Sequence, residues 1–358
     1  MHPHRCFFID FNARMLYNIG EVFTMIFREK EEASKPNKIK YVEGIKSLLE
    51  ARKKEAEKIR ANYIKEVFKN PEKYRSDFKE MLGWPLVGYA ADGLPKVQST
   101  KLADEENYEI FRMELEILPE LWMTGLFFKM RGEEAKPLVL VSHGGAGTPE
   151  VISGIYDNTW NYNNMLERVI QYDVHAFAPQ LLLWKEEYEV PYDRKELDAN
   201  LKRVGSSITA IEVFGFMRIL DYFEGKPYVK NFGMVGLSYG GFYTLFTTAC
   251  DTRIKSAISC SFFNDRDIIG WSDWVWQNSA YKFNDAEVAA LSYPRRLCIQ
   301  MADNDQLFSC EHTKKSFDRL CELSKNVGTE WLDLMIFEGV HEFCKDDAPI
   351  ERLVNDLK

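Results

Sequence analysis

The chain has 358 residues, with 46 Lys and Arg against 55 Asp and Glu and a formal net charge of −9. A surface that acidic argues against nucleic acid as a partner, because phosphate binding needs basic surface. The length suits one large catalytic domain with an appendage rather than two equal domains. The seven cysteines, from Cys6 to Cys344, include no Cys-x-x-Cys pair, so they read as neither a zinc site nor a disulfide framework, and neither metal nor cofactor is expected. No run approaches the ~18 apolar residues of a spanning helix, and Met1 to Asp10 lack the apolar core of a secretion signal. The expectation is a soluble, cytoplasmic protein with no membrane partner.

In chain order, residues 1–104 are expected to form a helical extension. Asn12 to Arg28 and Val42 to Lys69 carry helical periodicity, with Ile45, Leu48, Leu49, Ile59, Ile64 and Val67 set among charges. A shorter helix runs from Ser76 to Leu82 and stops at Gly83. The extension has three open roles: covering the sheet edge, lining a pocket mouth, or pairing two copies of the chain as a homo-oligomer. Residues 105–358 alternate strands with helices, which predicts a mostly parallel α/β sheet with helices on both faces. Two strands near Tyr108–Leu118 and Trp122–Met130 are expected to be antiparallel. Then come a buried strand at Leu138–Val141, a helix about Asn164–Gln171, a strand at Val174–Ala178 and a long helix over Ser206–Phe223. Phe232 to Val235 leads into Gly236-Leu237-Ser238-Tyr239-Gly240-Gly241 and a helix ending at Cys250, followed by a strand at Ile254–Ser261. Residues 262–294 are too long for a plain crossover and read as a lid insertion. Its Trp271, Trp274 and Trp276 either stack on a substrate or form the insertion's own core, and Trp160 stands in a second polar-aromatic loop that borders a pocket. Strands at Arg296–Met301 and Trp331–Phe337 and a helix from Pro349 close the chain.

The chemistry centres on Gly236 to Gly240. A strand turning sharply into a helix with serine at its apex is a nucleophile elbow, and its glycines allow an approach so close that a Cβ at Gly236 or Gly240 would clash. A serine hydroxyl needs a base to take its proton and a third group to orient that base. Two histidines follow Ser238. His341 lies at the end of a strand and glycine-bearing loop, whereas His312 reads as the solvated start of a helix. His341 is therefore the expected base. Of the two aspartates after the Arg296 strand, Asp305 is the expected orienting acid and Asp303 a turn residue bonding the loop backbone. The oxyanion hole is expected from Tyr239 N–H and from Gly144 or Gly145 in Ser142-His143-Gly144-Gly145-Ala146-Gly147. That loop lacks the Gly-Lys-Ser/Thr of a phosphate loop, and Glu150 breaks dinucleotide spacing.

Over roughly residues 105–358 the chain resembles the α/β-hydrolase superfamily. Within it, the chain is similar to the dienelactone hydrolase and acetyl xylan esterase-like groups. The residues carrying this are His143-Gly144-Gly145, Asp221-Tyr222-Phe223, Gly236-Leu237-Ser238-Tyr239-Gly240-Gly241, Asp251 to Ala257, and His341. The resemblance implies a serine carboxylesterase acting through an acyl-enzyme on a small ester, with an acetylated carbohydrate the favoured substrate. The same Gly-x-Ser-Tyr-Gly-Gly form occurs in prolyl oligopeptidase-like peptidases, which leaves a peptidase as one alternative and a non-catalytic binding protein as another.

Overall fold

The computed structural model describes residues 27–84, 93–185 and 190–358. The expected helix from Asn12 falls, but for its last two residues, outside them. The chain divides into two compact units between Arg52 and Lys53. The described part of the first unit holds a 3-10 turn, Glu31–Ser34, and the first half of helix α1 (Lys35–Tyr63), on which Ile45, Leu48 and Leu49 are exposed.

In the second unit, the end of α1 leads to α2 (Pro71–Leu82). Pro71 sits in the first turn of α2, where its missing N–H costs nothing, and Gly83 ends the helix in a left-handed conformation with φ of 112°. Nine strands follow: β1 (Val97–Asp104), β2 (Tyr108–Leu118), β3 (Leu121–Met130), β4 (Lys136–Ser142), β5 (His175–Pro179), β6 (Val229–Leu237), β7 (Ile254–Cys260), β8 (Arg296–Ala302) and β9 (Leu332–Phe337). They form one sheet in the order β1-β2-β3-β5-β4-β6-β7-β8-β9. The first three strands run antiparallel, and β3 pairs antiparallel with β5; every other neighbouring pair is parallel. The expected helical extension thus ends in a strand, β1. Its sequence Val-Gln-Ser-Thr-Lys-Leu-Ala-Asp is largely exposed on the sheet edge and has no apolar alternation to give it away.

Helices α3 (Pro149–Ile152), α4 (Met165–Ile170), α5 (Arg194–Arg203), α6 (Ile208–Phe223), α7 (Tyr239–Cys250), α8 (Ser279–Lys282), α9 (Asp285–Ala290), α10 (Cys310–Ser324) and α11 (Ala348–Leu357) complete the unit. Two apolar cores result, one on each face of the sheet. Phe78, Phe216, Phe223, Phe242 and Phe246 from α2, α6 and α7 build one, and Val151, Met165, Val169, Leu353 and Val354 from α3, α4 and α11 build the other. The central strands are buried on both faces, which is why β4 reads as the continuous apolar run Pro-Leu-Val-Leu-Val. Parallel register aligns the carboxyl ends of β4, β6, β7, β8 and β9: Ser142 pairs with Gly236, Leu237 with Cys260 and Ala302 with Phe337. No helix among the described residues is long and apolar enough to cross a membrane.

Candidate active site

Ser238 follows β6 and stands at the N-cap position of α7 with φ of 60° and ψ of −122°, a conformation that costs a non-glycine residue about 1–3 kcal/mol. The turn is held by Ser238 N–H donating to Cys260 O at 2.9 Å and Phe242 N–H donating to Ser238 O at 2.9 Å. Its glycines are required by contact. A Cβ on Gly240 would lie 2.0 Å from Ser142 O, and one on Gly236 would lie 2.3 Å from the Gly240 carbonyl. The strand, the helix and the loop after β4 therefore meet backbone to backbone beside Ser238.

Two strands along the sheet, His341 Nδ1 bonds Asp305 Oδ2 at 2.8 Å. The Asp305 side chain is wholly enclosed and also accepts the N–H groups of Leu307 (2.8 Å) and Phe308 (3.0 Å). Burial works against its ionisation, but the His341 bond and charge and these two N–H groups outweigh it, holding the carboxyl below its ordinary range. Asp303 does something else. Its Oδ1 accepts Gly339 N–H at 3.1 Å and Asn304 Nδ2 at 2.9 Å, tying the ends of β8 and β9 together. His312 lies in the first turn of α10 with Nδ1 3.6 Å from Asp265 Oδ2, away from the His341–Asp305 pair.

The loop after β4 separates the two candidate glycines. Gly144 donates its N–H to Tyr162 Oη at 2.9 Å, Ala146 to Leu183 O at 2.8 Å and Gly147 to Gly144 O at 3.2 Å. Gly145 is exposed, lies against the Tyr239 ring and has no protein acceptor for its N–H among the described residues. Tyr239 begins α7, so its N–H has no intrahelical partner either. The preceding His143 is fully buried. Its Nε2 accepts Leu181 N–H at 3.0 Å, so its proton is on Nδ1 and is donated to Gly144 O at 2.9 Å. Burial pushes His143 down to about 4, against the opposing pull of the Gly144 carbonyl.

The tryptophans divide. Trp274 and Trp276 are buried in the core, stacked on Phe242. Trp271 is half-buried between Tyr239 (5.8 Å, stacked) and Phe308 (5.8 Å), and Phe308 packs on the His341 ring. Trp160 is 44% exposed, with Lys185 Nζ over its ring at 4.4 Å.

Behind Tyr239 is a buried ionic cluster that sequence reasoning missed. Arg194 bonds Asp273 Oδ2 at 2.8 Å, Glu212 Oε2 at 3.0 Å and Tyr243 Oη at 2.7 Å. Tyr239 Oη donates to Asp273 at 2.8 Å and Tyr243 Oη to Glu212. Burial opposes the Arg194 charge, but Glu212, Tyr243 and Asp273 more than restore it. The partners come from α5, α6, α7 and the insertion, too scattered along the chain for spacing to reveal them. Among the described residues no three His, Cys, Asp or Glu side chains are placed to share a metal ion.

No protein-family profile matches the sequence, and no curated protein does. Solved structures do. The chain is similar to a candidate acetyl xylan esterase from Bacteroides fragilis, at 16% identity over 76% of each chain with a TM-score of 0.61. It is also similar to a glucuronoyl esterase from Solibacter usitatus, at 13% identity over 79% of this chain and 91% of that one, TM-score 0.59. Acetyl xylan esterase 1 from Thermoanaerobacterium matches at 12% identity over 81% and 94%, TM-score 0.54. At such identities the likeness bears on the fold, and with the strand order and the elbow at Ser238 it identifies this chain as having the α/β-hydrolase fold.

Proposed function

We propose that the protein is a serine carboxylester hydrolase. The observation that carries the reading is Ser238 in its strained turn on the same sheet edge as the 2.8 Å His341–Asp305 pair. Ser238 Oγ attacks the ester carbonyl carbon while its proton passes to His341 Nε2, the ring nitrogen that Asp305 leaves free. The negative charge on the carbonyl oxygen is met by the N–H groups of Tyr239 and Gly145, Gly144's being taken by Tyr162. His341 then protonates the departing alcohol as the C–O bond breaks, and water, deprotonated by the same imidazole, releases the acyl group from Ser238. Asp305, kept ionised, holds the imidazolium throughout.

The substrate class follows the fold neighbours, whose names point to short acyl groups on carbohydrate, with Trp271 and Trp160 as the aromatic borders of the binding surface. The test is a screen of p-nitrophenyl acetate, a longer-chain ester and an aminoacyl anilide, with a fluorophosphonate probe alongside. Acetate turnover and labelling on the Ser238 peptide are expected. Ser238→Ala should stay folded and lose several orders of magnitude in turnover, since triad members act as a unit. Anilide turnover above ester turnover, or an unlabelled Ser238, refutes the reading.

A further inference from the structure

The loop between α3 and α4 touches both halves of the candidate site. Its 3-10 turn, Trp160–Tyr162, and the two asparagines after it hold three non-glycine residues in left-handed conformations, with φ of 46° at Trp160, 48° at Asn163 and 56° at Asn164. Asparagine tolerates this region better than most residues, but a tryptophan there is unusual and is kept only where neighbours over-determine it. The residues that follow Trp160 are bonded to the oxyanion loop and to the base loop.

On one side, the buried Tyr162 hydroxyl accepts the Gly144 N–H at 2.9 Å, and Gly147 packs so closely that a Cβ on it would overlap this oxygen. On the other side, Asn161 Nδ2 donates to His341 O at 3.0 Å, and Asn161 O accepts Phe343 N–H at 2.8 Å. Asn163 Nδ2 donates to Glu342 Oε2 at 2.8 Å and to Phe343 O at 2.7 Å. Three consecutive residues thus grip the oxyanion loop and the base loop, which are otherwise separated by about two hundred positions in the chain.

We propose, resting on the esterase reading above, that Asn161, Tyr162 and Asn163 are positioning residues that hold the Gly145 N–H and the His341 ring in one frame. By accepting Gly144 N–H, Tyr162 selects Gly145 as the donor left to the developing oxyanion. The asparagines fix the main chain of His341 and of the residues after it, so the imidazole is aimed from its backbone as well as from Asp305. They act through Gly144 and His341.

The experiment compares Tyr162→Phe, Asn163→Ala and the double variant with wild type, on p-nitrophenyl acetate and in the rate of fluorophosphonate labelling at Ser238. Each single variant should lose roughly tenfold to a hundredfold in kcat, with KM within about twofold, because the lost alignment is felt at charge development. Labelling should slow in step, since the probe's phosphoryl oxygen uses the same donors. The double variant should lose less than the product of the single losses, as members of one frame do. Tm lowered with kcat and labelling unchanged would mean a merely structural loop and overturn the proposal, as would a loss appearing wholly in KM. If Tyr162→Phe does not fold, the half-buried Asn161→Ala takes its place beside Asn163→Ala with the same expectations. Wild type that neither turns over esters nor labels at Ser238 refutes the esterase reading and this proposal together; an active wild type with unaffected variants refutes only this one.

Discussion

The two aspartates after β8 show how little separates the proposed orienting acid from a turn carboxylate. Asp305 reaches His341 because two further residues carry the chain away from the sheet, and the N–H groups of Leu307 and Phe308 turn its carboxylate back. Asp303, still level with β9, bonds Gly339 instead. Asp305→Asn should therefore stay folded and lose orders of magnitude in kcat through loss of charge and of the favoured tautomer. Asp303→Asn should cost stability and at most a modest factor in rate. Measuring kcat and Tm for both side by side decides it, and an essential Asp303 beside a dispensable Asp305 would reverse the assignment. The pairing of Asp305 with His341 was legible because the elbow and the strand-end loops are written in consecutive residues. Tyr162 was not: its partner Gly144 is 18 residues away, and nothing local marks a buried hydroxyl as an acceptor.

Among elements, the run of strands from Tyr108 and helices from Ser206 was readable from apolar periodicity, whereas the insertion was not. Three tryptophans within six residues looked alike in sequence, yet Trp274 and Trp276 face Phe242 in the core while Trp271 packs beside His341's neighbour Phe308. One polar tie that holds the insertion down is Arg194 of α5, whose Asp273 partner lies 79 residues on. Arg194→Met would leave Glu212 and Asp273 buried without their cation, and breaking such a cluster from one side costs roughly 3–5 kcal/mol. A fall in Tm of several degrees is expected, together with slower turnover as Tyr239 loses the fixed Asp273 acceptor. Unchanged Tm would show that the cluster contributes nothing to holding the insertion.

For the whole molecule, His143 ties stability to pH. The unfolded chain takes up a proton on this imidazole near pH 6.5, but the folded chain resists until about 4 because burial excludes the charge. The contribution is complete above the unfolded value and is lost as pH falls through this window, at most about 3 kcal/mol. Denaturant unfolding of the wild type should therefore weaken steadily from pH 6.5 toward 4. His143→Gln should be less stable at neutral pH and show a flatter profile, and equal slopes in the two proteins would refute the linkage.

The Ser238 backbone sets activity against durability. A left-handed serine is tolerated in every folded molecule, whether or not substrate is present, and its strain of about 1–3 kcal/mol is a sizeable fraction of the roughly 5–15 kcal/mol by which domains stay folded. On the esterase reading, the nucleophile's position is a standing mechanical load on the junction of β6 and α7. Glycine at 238 would release it while removing the nucleophile, so Ser238→Gly should be inert and yet melt at or above the wild-type temperature, despite the extra freedom glycine gives the unfolded chain. Copies of this chain that lost their chemistry by that one change would gain shelf life, and the load would be measurable as the difference in Tm between two proteins distinguished by a single side chain.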